Sequence, residues 1–123
     1  MKDISIIIPT FHFAETTEKT IKACLSQTLL PSELIIIDSS EDNSINDIIQ
    51  RLETGIPVIY KSVSQLFPGE ARNLGANLSN SEFLAFLDSK TIPENDWLET
   101  NLNTMKDSNA DVIFGNTQYL ADT

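Results

Sequence analysis

Three runs, residues 4–8, 34–37 and 83–87, are almost continuously apolar rather than alternating. A strand with one wet face reads apolar–polar–apolar, because successive side chains point to opposite faces of the sheet. An unbroken run of β-branched and aromatic residues instead fits a strand covered on both faces, as in parallel sheets. Two shorter runs, residues 58–60 and 112–114, are rich in the same residue types. The segments between them carry helical spacing. Ile45, Ile48, Ile49 and Leu52 follow the i, i+3, i+4, i+7 rule for one buried helix face. Ala71, Leu74, Gly75 and Leu78 repeat it, with Gly75 allowing close helix–sheet contact, while Ile21, Cys24 and Leu25 mark a first helix and Leu98, Leu102 and Met105 a last.

The punctuation agrees. Ser44 with Asp47 forms an imperfect capping box, and Thr91 with Glu94 another, with Pro93 in the first turn where a missing N–H costs little. Gly55-Ile-Pro57 separates the second helix from the third strand. The predicted order is βαβαβαβαβ: an α/β, doubly wound, mainly parallel Rossmann-like sheet with right-handed crossovers. At 123 residues this is a single domain, 1–123, large enough for its own core. The sequence stops just after the fifth predicted strand with no helix to cover it, which reads as part of a longer protein.

Charge and cysteine content narrow the partners. With 18 acids against 8 bases and a net charge of −10, there is no basic stripe to neutralise nucleic-acid phosphates or dock on anionic lipid. No apolar run approaches the ~20 residues of a membrane span, and the first strand follows the amino terminus too closely for a signal peptide. The lone Cys24 excludes an intrachain disulfide, fits a reducing cytoplasm and reads as a small core hydrophobe.

In open α/β sheets ligands bind beyond the carboxyl ends of the strands, where strand order reverses. Those ends carry Pro9-Thr-Phe-His12, Asp38-Ser-Ser40 and Asp88-Ser-Lys90, and Arg72 follows close to the start of the third helix. Asp38 and Asp88 are the central candidates; either alone could merely cap a turn. His12 reads as an ordinary loop residue, since no second His exists to share a metal, and Glu41-Asp42 as a solvated turn.

Taken together, Ser5-Ile-Ile-Ile-Pro-Thr-Phe11, Leu25-Ser-Gln-Thr28, Leu34-Ile-Ile-Ile-Asp-Ser-Ser-Glu-Asp42, Gly69-Glu-Ala-Arg-Asn-Leu-Gly75, Phe83-Leu-Ala-Phe-Leu-Asp-Ser89 and Asp96-Trp-Leu98 resemble, in order and spacing, the opening of family 2 glycosyltransferases of the GT-A fold. The resemblance implies the nucleotide-sugar-binding part of an inverting enzyme that moves a sugar from a nucleoside-diphosphate sugar to a glycan, lipid or protein. It implies that Pro9, Thr10, Phe11 and Asp38 surround base and ribose, that Arg72 lies near base or diphosphate, and that Asp88, Ser89 and position 90 form the Asp-x-Asp element that holds a divalent cation, Mg or Mn. The catalytic base and acceptor site would lie beyond residue 123, so the 123 residues alone are expected to be inactive. With the lone cysteine, this makes a cytoplasmic parent the expectation, at the membrane's inner face if a further segment anchors it, and the resemblance implies a part in polysaccharide synthesis.

Two departures stand out. Ser39 replaces the usual second acid after strand two, and Lys90 replaces the metal-binding acid of Asp-x-Asp. A metal held by Asp88 alone would be weakly bound. A lysine there can instead put an ammonium on the diphosphate, with Asp88 orienting it or binding ribose. The alternative is a catalytically degenerate GT-A-like binding module. A signalling receiver domain is disfavoured by Pro9-Thr10 where an acid pair is needed, and a dinucleotide-dependent dehydrogenase by the lack of Gly-x-Gly-x-x-Gly after strand one.

Overall fold

A computed structural model describes residues 3–64 and 67–108. Eight elements alternate: β1 (Ile4–Thr10), α1 (Ala14–Leu25), β2 (Glu33–Asp38), α2 (Ser44–Arg51), β3 (Val58–Ser62), α3 (Pro68–Leu78), β4 (Phe83–Phe86) and α4 (Trp97–Ser108). The expected fifth strand at residues 112–114 lies outside the described residues. The four described strands form one parallel sheet in the order β3-β2-β1-β4.

Handedness explains where the helices lie. The chain steps from β1 to β2 to β3 in one direction, so right-handed crossovers put α1 and α2 on the same face. It then returns across the sheet to β4 on the far side of β1, which sends α3 to the opposite face. The two cores follow. Ile4, Ile6, Ile8, Leu34 and Ile36 pack with Ile21 and Cys24 of α1, Ile45 and Ile49 of α2 and Leu98 of α4. Ile7, Ile35 and Ile37 pack with Ala71 on the α3 face. Hence β1 and β2 are apolar at almost every position: they are the central strands, covered on both sides. The apolar run at 83–87 misled in one respect. The strand ends at Phe86, and Leu84 and Phe86 are 38% and 45% exposed, because β4 borders only β1 among the described strands and its α3-side face is left open.

The close approach expected at Gly75 is present. A Cβ there would overlap Cγ2 of the fully buried Ile7, so α3 rests on the sheet at a distance only glycine permits. Two capping assignments need correction. Helix α2 starts with Ser44 already inside it: the preceding Asp42 carboxylate accepts the Ser44 hydroxyl (2.7 Å) and N–H (3.2 Å). These two bonds hold the exposed Asp42 carboxyl below its usual range. Thr91 and Glu94 do not open α4, which begins at Trp97. The stretch before it is pinned instead by buried Gln27, whose Nε2 donates to Glu94 O (2.7 Å) and whose Oε1 accepts the Leu98 N–H (3.0 Å). That gives the Leu25-Ser-Gln-Thr28 motif a structural reason.

Burial pushes the Cys24 thiol up to about 12, as suits a core hydrophobe and not a thiolate nucleophile. No helix among the described residues is long and apolar enough to cross a membrane.

Candidate functional site

Strand order reverses between β1 and β4, so the crevice past their carboxyl ends is where an open α/β sheet accepts a ligand. The side chains at this edge fall into two groups. One is organised by Asp38 and the other by the turn at Asp88–Thr91.

Asp38 ends β2 opposite Thr10 of β1 and Ser62 of β3. It is 0% exposed, and both carboxylate oxygens are occupied. Oδ1 accepts the Thr10 hydroxyl (3.0 Å) and the Ser40 N–H (2.9 Å), while Oδ2 accepts the Tyr60 hydroxyl (2.6 Å). Ser40 Oγ in turn accepts the His12 N–H at 2.7 Å. A buried carboxylate must be satisfied this way, or its desolvation would be prohibitive. The consequence is that Asp38 ties together the ends of three strands and the loop after β1. In this conformation it has no exposed surface, and its three hydrogen-bond donors fix the shape of the strand-end edge. Burial first, and then the Asp38 hydrogen bond, push the Tyr60 phenol up to about 12.

Above this hub lies an open concavity of about 430 Å³ lined by Phe11, Ser39, Ser40, Glu41, Val63 and Ser64. It offers one aromatic face, hydroxyls and one carboxylate, a lining suited to a flat, polar-edged ring. Phe11 is half-exposed, with its ring centroid 4.2 Å from that of His12. Pro9 is half-buried within β1, next to Ile37 of β2.

The second group is the turn after β4. Asp88 is exposed, and its Oδ1 accepts the Lys90 N–H at 2.8 Å while its carbonyl accepts the Thr91 N–H at 3.0 Å. Asp88 thus orients the Lys90 backbone; no ion pair links it to the ammonium. Buried Thr20 of α1 anchors the turn from below, its hydroxyl reaching Ser89 O (2.8 Å) and Thr91 O (2.9 Å). Ser89 is buried in that anchor, and Lys90 is exposed with Nζ 4.4 Å above the Phe13 ring. Phe13 and His12 both have left-handed backbones, with φ of 56° and 60°.

Thr10 and Asp38 are therefore in direct contact, Phe11 lines the concavity with the residues that follow Asp38, and Ser89 and Lys90 form one turn. Arg72 stands exposed on α3 and shares no ion pair with any described residue. Sequence reasoning missed Tyr60, Ser40, Thr20 and Phe13. The signal for Tyr60 was present, since side chains two apart along neighbouring parallel strands share a face. For Thr20 and Phe13 no local signal existed.

The turn at Asp88 offers a divalent cation a single carboxylate, so most of its ligands would have to come from phosphate and water. Among the described residues no three His, Cys, Asp or Glu side chains converge, and the one carboxylate present already caps a turn that carries an ammonium. No step is assigned to a metal here.

The sequence profile described as Glycosyl transferase family 2 matches residues 5–121. Glycosyltransferase AglE of Haloferax volcanii is 30% identical over 94% of this chain. Poly(ribitol-phosphate) beta-N-acetylglucosaminyltransferase TarP of Staphylococcus aureus is 35% identical, also over 94%. The chain spans only 40% of AglE and 36% of TarP. Among solved structures, S. aureus TarS 1–349 in complex with UDP superposes with a TM-score of 0.76 at 19% identity, covering 89% of this chain and 33% of that one. That likeness establishes the fold.

Proposed function

The chain belongs to glycosyl transferase family 2, and from that membership we propose that it is the donor-binding part of an inverting glycosyltransferase. The parent would move a sugar from a nucleoside-diphosphate sugar to a glycan, lipid or protein acceptor, in the cytoplasm or at the inner membrane face, in polysaccharide synthesis. One observation carries the reading: the concavity walled by Phe11, Ser39 and Ser40 is rigidified by the Asp38 hub and stands at the edge where the Lys90 turn flanks the β1–β4 crevice.

The division of labour follows from chemistry. Phe11 offers a face on which a base can stack, held between Pro9-Thr10 and the residues after Asp38. Asp38 holds Thr10, Ser40 and, through Ser40, the His12 backbone, so the base meets a preformed wall and little ordering entropy is lost on binding. For Asp38 to accept a base N–H itself, the Tyr60 hydroxyl must first leave Oδ2. Lys90, with Asp88 and Ser89 fixing its turn, supplies a positive charge for the diphosphate, and Arg72, exposed on α3, is a second cation that the family pattern assigns to base or diphosphate. Stabilising the negative charge that builds on the departing nucleoside diphosphate lowers the barrier to displacement. Deprotonation of the acceptor hydroxyl needs a general base, and no residue among 1–123 is assigned that role.

TarS 1–349, which shares this fold, was solved in complex with UDP, and that supports a nucleotide as the ligand class. The test is transfer by the full-length protein from a panel of nucleoside-diphosphate sugars to glycan, lipid and peptide acceptors. Consumption of one donor with appearance of sugar on an acceptor is expected. Lys90 in place of the motif acid favours one other reading, a GT-A-like module that binds without catalysis; donor binding with no turnover across the panel would establish it.

A further inference from the structure

Among the described residues no acid holds the ammonium of Lys90. The only ion pair among the described residues is Lys22–Glu18 on α1, and the nearest carboxylate in sequence, Asp88, is engaged with the Lys90 backbone. What Lys90 Nζ does meet is the face of Phe13, 4.4 Å from the ring centroid. Phe13 is an improbable residue to find there. It is 61% exposed, so burial does not account for its aromatic ring. Its backbone sits at φ 56°, ψ 53° and follows a second left-handed residue, His12. Left-handed geometry is unfavourable for a bulky side chain, and strain of this kind persists only where surrounding structure enforces it.

The enforcement is visible. The His12 N–H is tied to Ser40 Oγ, and so to the Asp38 hub, while the Phe13 carbonyl accepts the Thr17 N–H that opens α1. From the other side, Thr20 fixes the carbonyls of Ser89 and Thr91. Two loops, one after β1 and one after β4, are thus pinned on either side of α1 and bring a ring and an ammonium together across the crevice. A lysine on an exposed turn would otherwise sweep a wide volume.

We propose that Phe13 is a positioning residue: its ring seats the Lys90 ammonium at the β1–β4 crevice, so that the charge stands ready for the diphosphate of the donor. An aromatic face suits this task better than an acid. It restrains the cation without neutralising it, so an arriving phosphate meets a full positive charge instead of competing with a salt bridge. This rests on the donor-binding reading, and its test separates the two.

The full-length protein and its Phe13→Leu, Phe13→Trp, Lys90→Met and Phe13→Leu/Lys90→Met variants are titrated calorimetrically with UDP, GDP, uridine and guanosine, with chelator present throughout. Circular dichroism confirms that each variant is folded, which the exposure of positions 13 and 90 favours. Phe13→Leu should weaken binding of the preferred diphosphate about two- to fivefold, the range of an exposed cation–π contact. It should leave the nucleoside unaffected and add nothing once Lys90 is Met, while Phe13→Trp should bind like the wild type. Equal diphosphate affinity in Phe13→Leu and wild type, alongside weakening by Lys90→Met, overturns the seat and leaves the donor site standing. Equal losses for diphosphate and nucleoside, or a loss in Phe13→Trp, make Phe13 a wall of the loop and also overturn it. Wild-type affinity in Lys90→Met removes the role of the ammonium. Absence of any diphosphate binding by the wild type overturns the donor reading itself.

Discussion

Replacing Tyr60 with Phe removes one oxygen from β3 and leaves the ring in place. The hydroxyl it deletes donates to Asp38 Oδ2 at 2.6 Å, and Asp38 has no exposed surface from which water could replace that donor easily. A hydrogen bond to a charged group contributes ~1.5–3 kcal/mol net. Tyr60 is itself half-buried, so some water can follow the missing oxygen, and a loss of about 1–2 kcal/mol is expected at neutral pH. The pH dependence gives a sharper signature. Burial and Asp38 raise the folded-state phenol to about 12, whereas an unfolded tyrosine titrates near 10. The stabilisation is therefore fully present below about pH 10 and is lost as pH rises through about 12. Urea midpoints of wild type and Tyr60→Phe should differ by a constant amount from pH 7 to 10 and converge above that. The Cys24 thiol, also raised to about 12, titrates identically in both proteins and cancels from the difference. Phenolate absorbance, subtracted between the two proteins, reports Tyr60 directly. Equal midpoints at pH 7, or a difference titration centred near 10, would refute the Asp38 hub.

Gly75→Ala should destabilise the protein by about 1–2 kcal/mol, because a clash with the immobile Ile7 outweighs the ~1 kcal/mol gain in helix propensity. Gly69→Ala, with open space around its Cβ, should be neutral or slightly stabilising in the same denaturation experiment. Thr20→Val keeps the shape of a fully buried side chain but removes the single hydroxyl proton that the Ser89 and Thr91 carbonyls share. It should cost about 1–3 kcal/mol of stability and weaken binding of a nucleoside diphosphate more than that of the nucleoside, measured by calorimetry.

The central strands were legible from the sequence because burial on both faces writes an unbroken apolar run, which is what Ile6, Ile7 and Ile8 or Ile35, Ile36 and Ile37 record. Helix α3 was legible down to Gly75, since a glycine within an amphipathic pattern has few other uses. Strand β4 was less legible, because its run has the composition of a strand covered on both faces, while Leu84 and Phe86 stand partly exposed. Among the site residues, Asp38 was legible as a strand-end acid, but its closure was not. That depends on the register that sets Ile36 beside Tyr60 and lets the phenol reach one strand over. Lys90 was legible as an oddity within a motif, whereas its partner Phe13 was hidden, because the contact exists only once β4 has paired with β1. Capping at Ser44 and Thr91 failed for a local reason. Asp42 competes for the first, and Gln27, distant in sequence, organises the chain before α4.

A nucleoside diphosphate is expected to bind across the carboxyl ends of β1, β2 and β4. Backbone amide NMR of the isotopically labelled full-length protein, titrated with UDP and with GDP in the presence of chelator, tests it residue by residue. One of the two should shift the amides of Thr10 to Phe13, Ser39 to Glu41 and Ser89 to Lys90 in a saturable way. Ser5, Ser79 and Ser81, bonded together at the opposite edge of the sheet, should stay still. No saturable shift with either nucleotide, or shifts centred on that opposite edge, would contradict it.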